Sequence, residues 1–291
     1  MTTVLPLISP DSDVIDFERR FGGIARLYGE SALTSFKQAH VCVIGVGGVG
    51  SWAVEGLARS AIGRITMIDL DHLSESNVNR QLHALTDTLG QSKVDALAER
   101  IAQINPYCVV TRVEEFIDPD NVATLIPVGQ FDYVIDAIDN TRAKTALVVH
   151  CRANHIPLVT IGSAGGQVDP TRIAVCDLSR TEQEPLLARV RKRLRRLHGF
   201  PRGTKNKFGI DAVYSTEPVR HPELCATDDE TNSEINEGLN GLNCAGYGSA
   251  VVVTASFGFV AAGLVLRKLA VQSNQSNQSN QSKATASHDE V

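Results

Sequence analysis

Between residues 45 and 50 the chain reads GVGGVG, placing Gly45, Gly47, Gly48 and Gly50 between a β-branched run and a stretch of helix-forming residues. Glycines at this spacing let backbone N–H groups approach a phosphate closely, and the helix that follows adds partial positive charge at its N-terminus. Asp69 closes the next β-branched run, where a carboxylate can accept ribose hydroxyls. A nicotinamide dinucleotide and a nucleoside triphosphate fit these features equally well. The polar run 69-DLDHLSESNVNRQLH-83 separates them, because it places Asn77, Arg80 and Gln81 about one turn apart, with Lys93 to follow. A hydride-transfer site has little use for two cations there. A triphosphate does, since guanidinium and ammonium groups neutralise the charge that grows on departing pyrophosphate. In 135-IDAIDN-140, Asp139 falls just past a further β-branched run, at the sheet edge where open α/β folds bind ligands. A carboxylate there can hold Mg²⁺ between phosphates. The set therefore points to ATP with Mg²⁺, and Arg80, Lys93 and Asp139 are the groups placed to act on the phosphates.

Positioning these residues requires a particular scaffold. Strands are expected at 40–45, 64–69, 108–113, 131–136 and 157–162, with helices at 50–61, 91–104 and 141–154 between them. The alternation is that of an α/β fold, a Rossmann-type mostly parallel sheet with flanking helices. Each strand is nearly continuous in apolar residues, as for one buried on both faces. After Gly162 the pattern loosens into a loop-rich C-terminal half with small strands at 171–178 and 211–219 and a basic helix. Residues 1–17 read as an N-terminal extension and 18–270 as one domain. The repeat within 271–291 reads as a disordered low-complexity tail.

With a net charge of −5, the surface is not basic all over, so any nucleic-acid contact must be local. The run 189-RVRKRLRR-196 supplies such a place. Like charges at helical spacing repel one another, so stability alone does not call for them. Phosphate contacts would use Arg191, Arg193 and Arg195. The six cysteines include no CxxC pair, which leaves out a four-thiolate zinc site and fits a reducing, cytoplasmic setting. Cys225 and Cys244 are the candidates for a reactive thiol in the loop-rich half. The apolar stretch 249–266 reaches the length of a single membrane span. Its interspersed Ser, Thr and Gly favour a buried helix over peripheral or spanning membrane association.

In combination, GVGGVG, DLDHLSESNVNRQ, the GQSK around Lys93, INP and IDAIDN make residues 18–165 resemble the ThiF, MoeB and ubiquitin-activating-enzyme superfamily of adenylating enzymes. That resemblance implies ribose contact by Asp69, triphosphate contacts by Asn77, Arg80 and Lys93, and Mg²⁺ held by Asp139. It also implies a homodimer in which an N-terminal arginine, Arg20 in preference to Arg26, reaches the partner's triphosphate. Within the superfamily, 20-RFGGIARLYG-29, 157-PLVTIGSAGGQVDPT-171 and 254-TASFGFV-260 are most similar to the tRNA threonylcarbamoyladenosine dehydratase branch. The branch implies a substrate, tRNA carrying threonylcarbamoyladenosine, and a sulfur-relay protein of a cysteine desulfurase system as a further partner. Three other readings stay open at this point. They are an adenylyltransferase acting on a sulfur-carrier or ubiquitin-like protein, an NAD-dependent oxidoreductase, and a non-catalytic scaffold.

Overall fold

The computed structural model describes residues 15–203, 205–221 and 247–286. Asp16 accepts the Arg19 N–H at 2.9 Å and so caps α1 (Phe17–Tyr28), which a glycine turn joins to α2 (Glu30–Gln38). The sheet then begins with β1 (His40–Ile44), followed by α3 (Gly50–Arg59) and β2 (Arg64–Ile68). Next come α4 (Lys93–Ile104), β3 (Val109–Val113), the short α5 (Val122–Leu125) and β4 (Tyr133–Asp136). The remaining elements are α6 (Thr141–Ala153), β5 (Leu158–Ile161), β6 (Ile173–Asp177), α7 (Pro185–Leu197), β7 (Asp211–Ser215) and α8 (Val251–Ala286).

One seven-stranded sheet runs in the order β3-β2-β1-β4-β5-β7-β6. Every pairing is parallel except that of β6 with β7. The chain builds outward from β1 through β2 to β3, then crosses back to lay β4 on the other side of β1. That reversal opens a crevice past the ends of β1 and β4, the place where such sheets bind ligands. GVGGVG leaves β1 and IDAIDN leaves β4, so both motifs arrive at the crevice by topology alone.

Alternate residues of β1 serve two cores. Val41 and Val43 pack with α2, α3, α4 and α8, whereas Cys42 and Ile44 pack with α5, α6 and α7. The apolar continuity of the central strands follows from this three-layer arrangement. It does not extend to β3, which lies at the sheet edge and leaves Val109 48 % exposed. There the expectation of burial on both faces fails, because a strand with one neighbour is covered less completely. The 211–219 segment is also more than a peripheral strand, since its first five residues form β7 and extend the main sheet.

The apolar stretch after residue 249 forms the start of α8, which is long and apolar enough to cross a membrane, yet half of that window is buried inside the protein. Val253, Phe257, Ala261, Val265 and Leu269 face the core it shares with α2 and α3. Of these, Val253, Phe257, Val265 and Leu269 each contribute roughly 1.5–3 kcal/mol by leaving water. Helical backbone continues to Ala286, through the repeat that composition assigned to a disordered tail, and residues 271–286 contain no Pro or Gly. Cys225 and Cys244 lie outside the described residues, as does most of the 1–17 extension.

Candidate functional site

The phosphate loop is held by what its glycines permit. Gly45 adopts φ +79° and donates its N–H to Ile68 O at 2.9 Å, tying the loop to β2. A Cβ on Gly50 would stand 1.9 Å from Gly45 O, so the first turn of α3 can fold back only onto glycine. From the outside, α8 presses on the same turn, because a Cβ on Gly258 would lie 2.5 Å from Val49 O. Gly50 thus acts through packing and does not line the pocket, while Gly45, Gly47 and Gly48 do.

That pocket, about 610 Å³, lies over the crevice. Asp69 closes one side, 7 % exposed, and accepts the N–H groups of Val46 at 2.8 Å and Asp71 at 2.9 Å. Burial pushes its carboxyl above the ordinary value, against the opposing pull of Lys93. Lys93, the first residue of α4, is buried except for its Nζ contact with Asp71 at 2.7 Å. Arg80 reaches the same pocket and donates from Nη1 to Ser76 O at 2.5 Å and Asn79 Oδ1 at 2.9 Å. Its own carbonyl accepts from Trp52 Nε1 at 3.0 Å, so α3 fixes the segment that carries it. Beside it, Gln81 keeps a buried Oε1 with no hydrogen-bond partner among the described residues.

Asp139 lines the opposite side, past β4. Desolvation raises its carboxyl above the usual range, Asp71 raises it further, and Lys144 and Lys93 oppose. Asp71 and Asp139 thus line the same pocket, with Lys93 paired to the first. Among the described residues no cluster of three or more His, Cys, Asp or Glu is placed to hold a metal. Carboxylates offered singly suit Mg²⁺, which takes one or two from a protein and completes its shell with phosphates and water.

Two of the expected residues stand elsewhere. Asn77 is absent from the pocket lining, and its Oδ1 accepts the Ser74 N–H at 3.1 Å, closing the turn that leads to Arg80. Arg20 donates to Gln103 O at 3.2 Å and Ile104 O at 2.9 Å, at the C-terminal end of α4 and outside its own chain's pocket. Arg26 is exposed on α1.

A ThiF family model matches residues 21–290. The chain belongs to the ThiF family. It is 52 % identical over 254 residues to the tRNA threonylcarbamoyladenosine dehydratase of Escherichia coli, covering 87 % of this chain and 94 % of that one. The solved structure of E. coli tRNA N6-threonylcarbamoyladenosine dehydratase in complex with ATP matches with a TM-score of 0.79 and 49 % identity. That match spans 90 % of this chain and 99 % of the other. The molybdopterin-synthase adenylyltransferase of E. coli is 31 % identical over 150 residues, which cover 52 % of this chain and 59 % of that one.

In this ThiF-family chain the pocket extends beyond the nucleotide motifs to Gly162–Gly165, Leu186 and the start of α8. Sequence reasoning missed that wall, and it missed Asp71 although Asp71 lies inside the polar run it quoted. It also missed Lys144, which is fully buried under the crevice and pairs with Asp136 at 2.9 Å while donating to Thr160 Oγ1 at 3.1 Å. Nothing in 141-TRAKTALVVH-150 distinguishes that lysine from a solvated one. The basic helix requires a correction as well. On α7, Leu186, Leu187, Val190 and Leu194 face the core, which turns Arg191, Arg193 and Arg195 half inward. Arg191 donates to Thr181 Oγ1, and the Arg195 guanidinium sits 5.3 Å from the Phe208 ring centroid. The exposed basic stripe is instead Arg189, Lys192 and Arg196, at the i, i+3, i+7 spacing of one helix face.

Proposed function

We propose that the protein catalyses the ATP-dependent dehydration of threonylcarbamoyladenosine in tRNA, next to the anticodon, through a carboxyl-adenylate. The observation that carries this reading is one continuous pocket. It joins the phosphate loop, Arg80, Lys93 and Asp139 to the Gly162–Gly165 wall, in a chain whose likeness to the dehydratase continues well beyond the nucleotide half.

In the first step the substrate carboxylate attacks the α-phosphorus of ATP in line, and the bond to the bridging oxygen breaks to release pyrophosphate. Backbone N–H groups of the loop hold the phosphates, Asp69 orients the ribose, and Arg80 and Lys93 meet the charge of the leaving group. Lys93 is poised for this because its resident partner, Asp71, is half exposed and readily exchanged for a more highly charged anion. Mg²⁺ held by Asp139, with Asp71 near it, supplies further neutralisation of the phosphates when bound. In the second step the urea of the same nucleoside closes on the activated carbonyl, gives up its proton to solvent, and AMP departs, so a carboxylate oxygen leaves as part of AMP. The tethered nucleophile supplies by proximity what an external acceptor or an enzyme thiol supplies in related reactions.

The same reading includes a homodimer, with Arg20 presented to the partner's nucleotide, a sulfur-relay protein as a further partner, and a cytoplasmic setting in which α8 is a core helix. The exposed stripe of Arg189, Lys192 and Arg196 is the surface we assign to the tRNA backbone. ATP–pyrophosphate exchange measured with modified tRNA, unmodified tRNA and no acceptor tests the assignment. Exchange should require the modified tRNA. Exchange that needs a carrier-protein C-terminus and ignores tRNA would transfer the protein to the protein-activating branch.

A further inference from the structure

Glu184 belongs to none of the motifs, yet it touches both halves of the proposed site. It is 3 % exposed, and its carboxylate caps α7 by accepting the N–H groups of Leu186 at 3.1 Å and of Leu187. The same carboxylate also accepts the N–H of Ser163 at 3.0 Å. Capping the helix uses only the first two bonds. The third goes to the Gly162–Gly165 wall of the pocket, which Leu186 also lines. Space for it is specific, because a Cβ on Gly162 would lie 2.8 Å from Glu184 Cγ and 2.9 Å from Cδ. Burying a carboxylate is costly, and burial does raise this one above its ordinary value, with the three N–H groups and Lys144 opposing. A buried charge shared between a helix end and a pocket wall transmits position, since neither can shift without losing an ionic hydrogen bond.

We propose that Glu184 is a positioning residue that couples the basic helix α7 to the acceptor wall of the pocket. A polyanion seated on Arg189, Lys192 and Arg196 thereby sets the wall against which its own carboxylate meets the nucleotide. The inference rests on the tRNA reading of this site.

Two full-length variants test it from opposite sides of the contact. Glu184→Gln keeps the shape but gives up the charge, and Gly162→Ala pushes the carboxylate off the wall while leaving the helix cap residue intact. Each is measured for melting temperature, Mg-ATP affinity, tRNA affinity and the turnover of tRNA-dependent pyrophosphate exchange. Positioning predicts that kcat falls by about tenfold or more while both affinities stay within about twofold of wild type. A folded variant with wild-type kcat overturns the proposal. So does a kcat that falls only in step with melting temperature and tRNA affinity, which is the signature of a lost helix cap. If Glu184→Gln does not fold, Gly162→Ala decides by the same readouts. A wild-type protein without any tRNA-dependent exchange removes the substrate reading and this inference together, whereas a wild-type rate that survives both variants removes the inference alone.

Discussion

Two lysine–aspartate pairs lie within the crevice region, and they are built for opposite purposes. Beneath the end of β4, Lys144 and Asp136 are both completely buried, 2.9 Å apart, and Thr160 bonds to each of them. At the pocket wall, Lys93 is buried but its partner Asp71 is 53 % exposed. The first pair has no exchangeable side, since water and ligand reach neither member. The second holds a buried cation in place with an anion that solvent already competes for, so its attraction is screened from one side. A lysine that must bind triphosphate needs a partner it can leave, and a lysine that props the floor needs one it cannot.

The largest effect is expected at the floor. Lys144→Met should destabilise the fold by about 3–5 kcal/mol, because it strands the Asp136 carboxylate without water or a counter-ion. Chemical denaturation measures this, and a loss below about 1 kcal/mol would erase the distinction between the two pairs. Next, Lys93→Met should leave the unfolding midpoint nearly unchanged but reduce adenylation by about 10²–10³-fold, the usual scale for removing a preorganised charge from a transition state. Pyrophosphate exchange reads the rate, and a fold that collapses instead would make Lys93 structural like Lys144.

A third prediction uses pH. His83 is 3 % exposed, neither ring nitrogen has a hydrogen-bond partner among the described residues, and burial lowers its pKa to about 3, with Lys93 and Arg100 adding to the shift. Between pH 6.5 and 3 the unfolded chain binds a proton there that the folded chain does not, so stability is full above pH 6.5 and falls as pH drops through that window. From pH 6.5 to 5 the loss from this group should be about 2 kcal/mol. His83→Gln should flatten the melting temperature over that range, and an unchanged slope would show that His83 carries no such linkage. The smallest effect belongs to Asp71→Asn, which should cost less than about 1 kcal/mol of stability because the pair it breaks is half exposed. A loss as large as that for Lys144→Met would overturn the idea of an exchangeable partner.

Legibility in the sequence followed the same division. Gly45, Asp69, Arg80, Lys93 and Asp139 were readable because short motifs following strand ends are local, and the parallel topology then carries them to one crevice. Lys144 was not readable, since burial of a lysine is decided by packing between α6 and β5 that no local pattern records. The strand at 211–215 was recognised, but its place in the main sheet was not, because parallel pairing to β5 is non-local. On α7 the charge was visible, but its direction was not. The buried face set by Leu186, Leu187, Val190 and Leu194 decides which arginines reach solvent, and a count of basic residues ignores it. Asn77 shows the converse, a motif residue whose side-chain oxygen serves the turn that delivers Arg80.

The contact of Gly258 with Val49 and Ala53 has a consequence in time. The phosphate loop leaves the ribosome well before the helix that braces its first turn. At about 5–20 residues per second, some 200 residues of synthesis separate the two by roughly 10–40 s. Throughout that interval the apolar face of α3 that α8 will cover is bare, and the loop lacks its outer support. Nucleotide binding by the nascent chain should therefore await the arrival of α8, so that a chain stalled before residue 251 carries every nucleotide motif and still has no finished site.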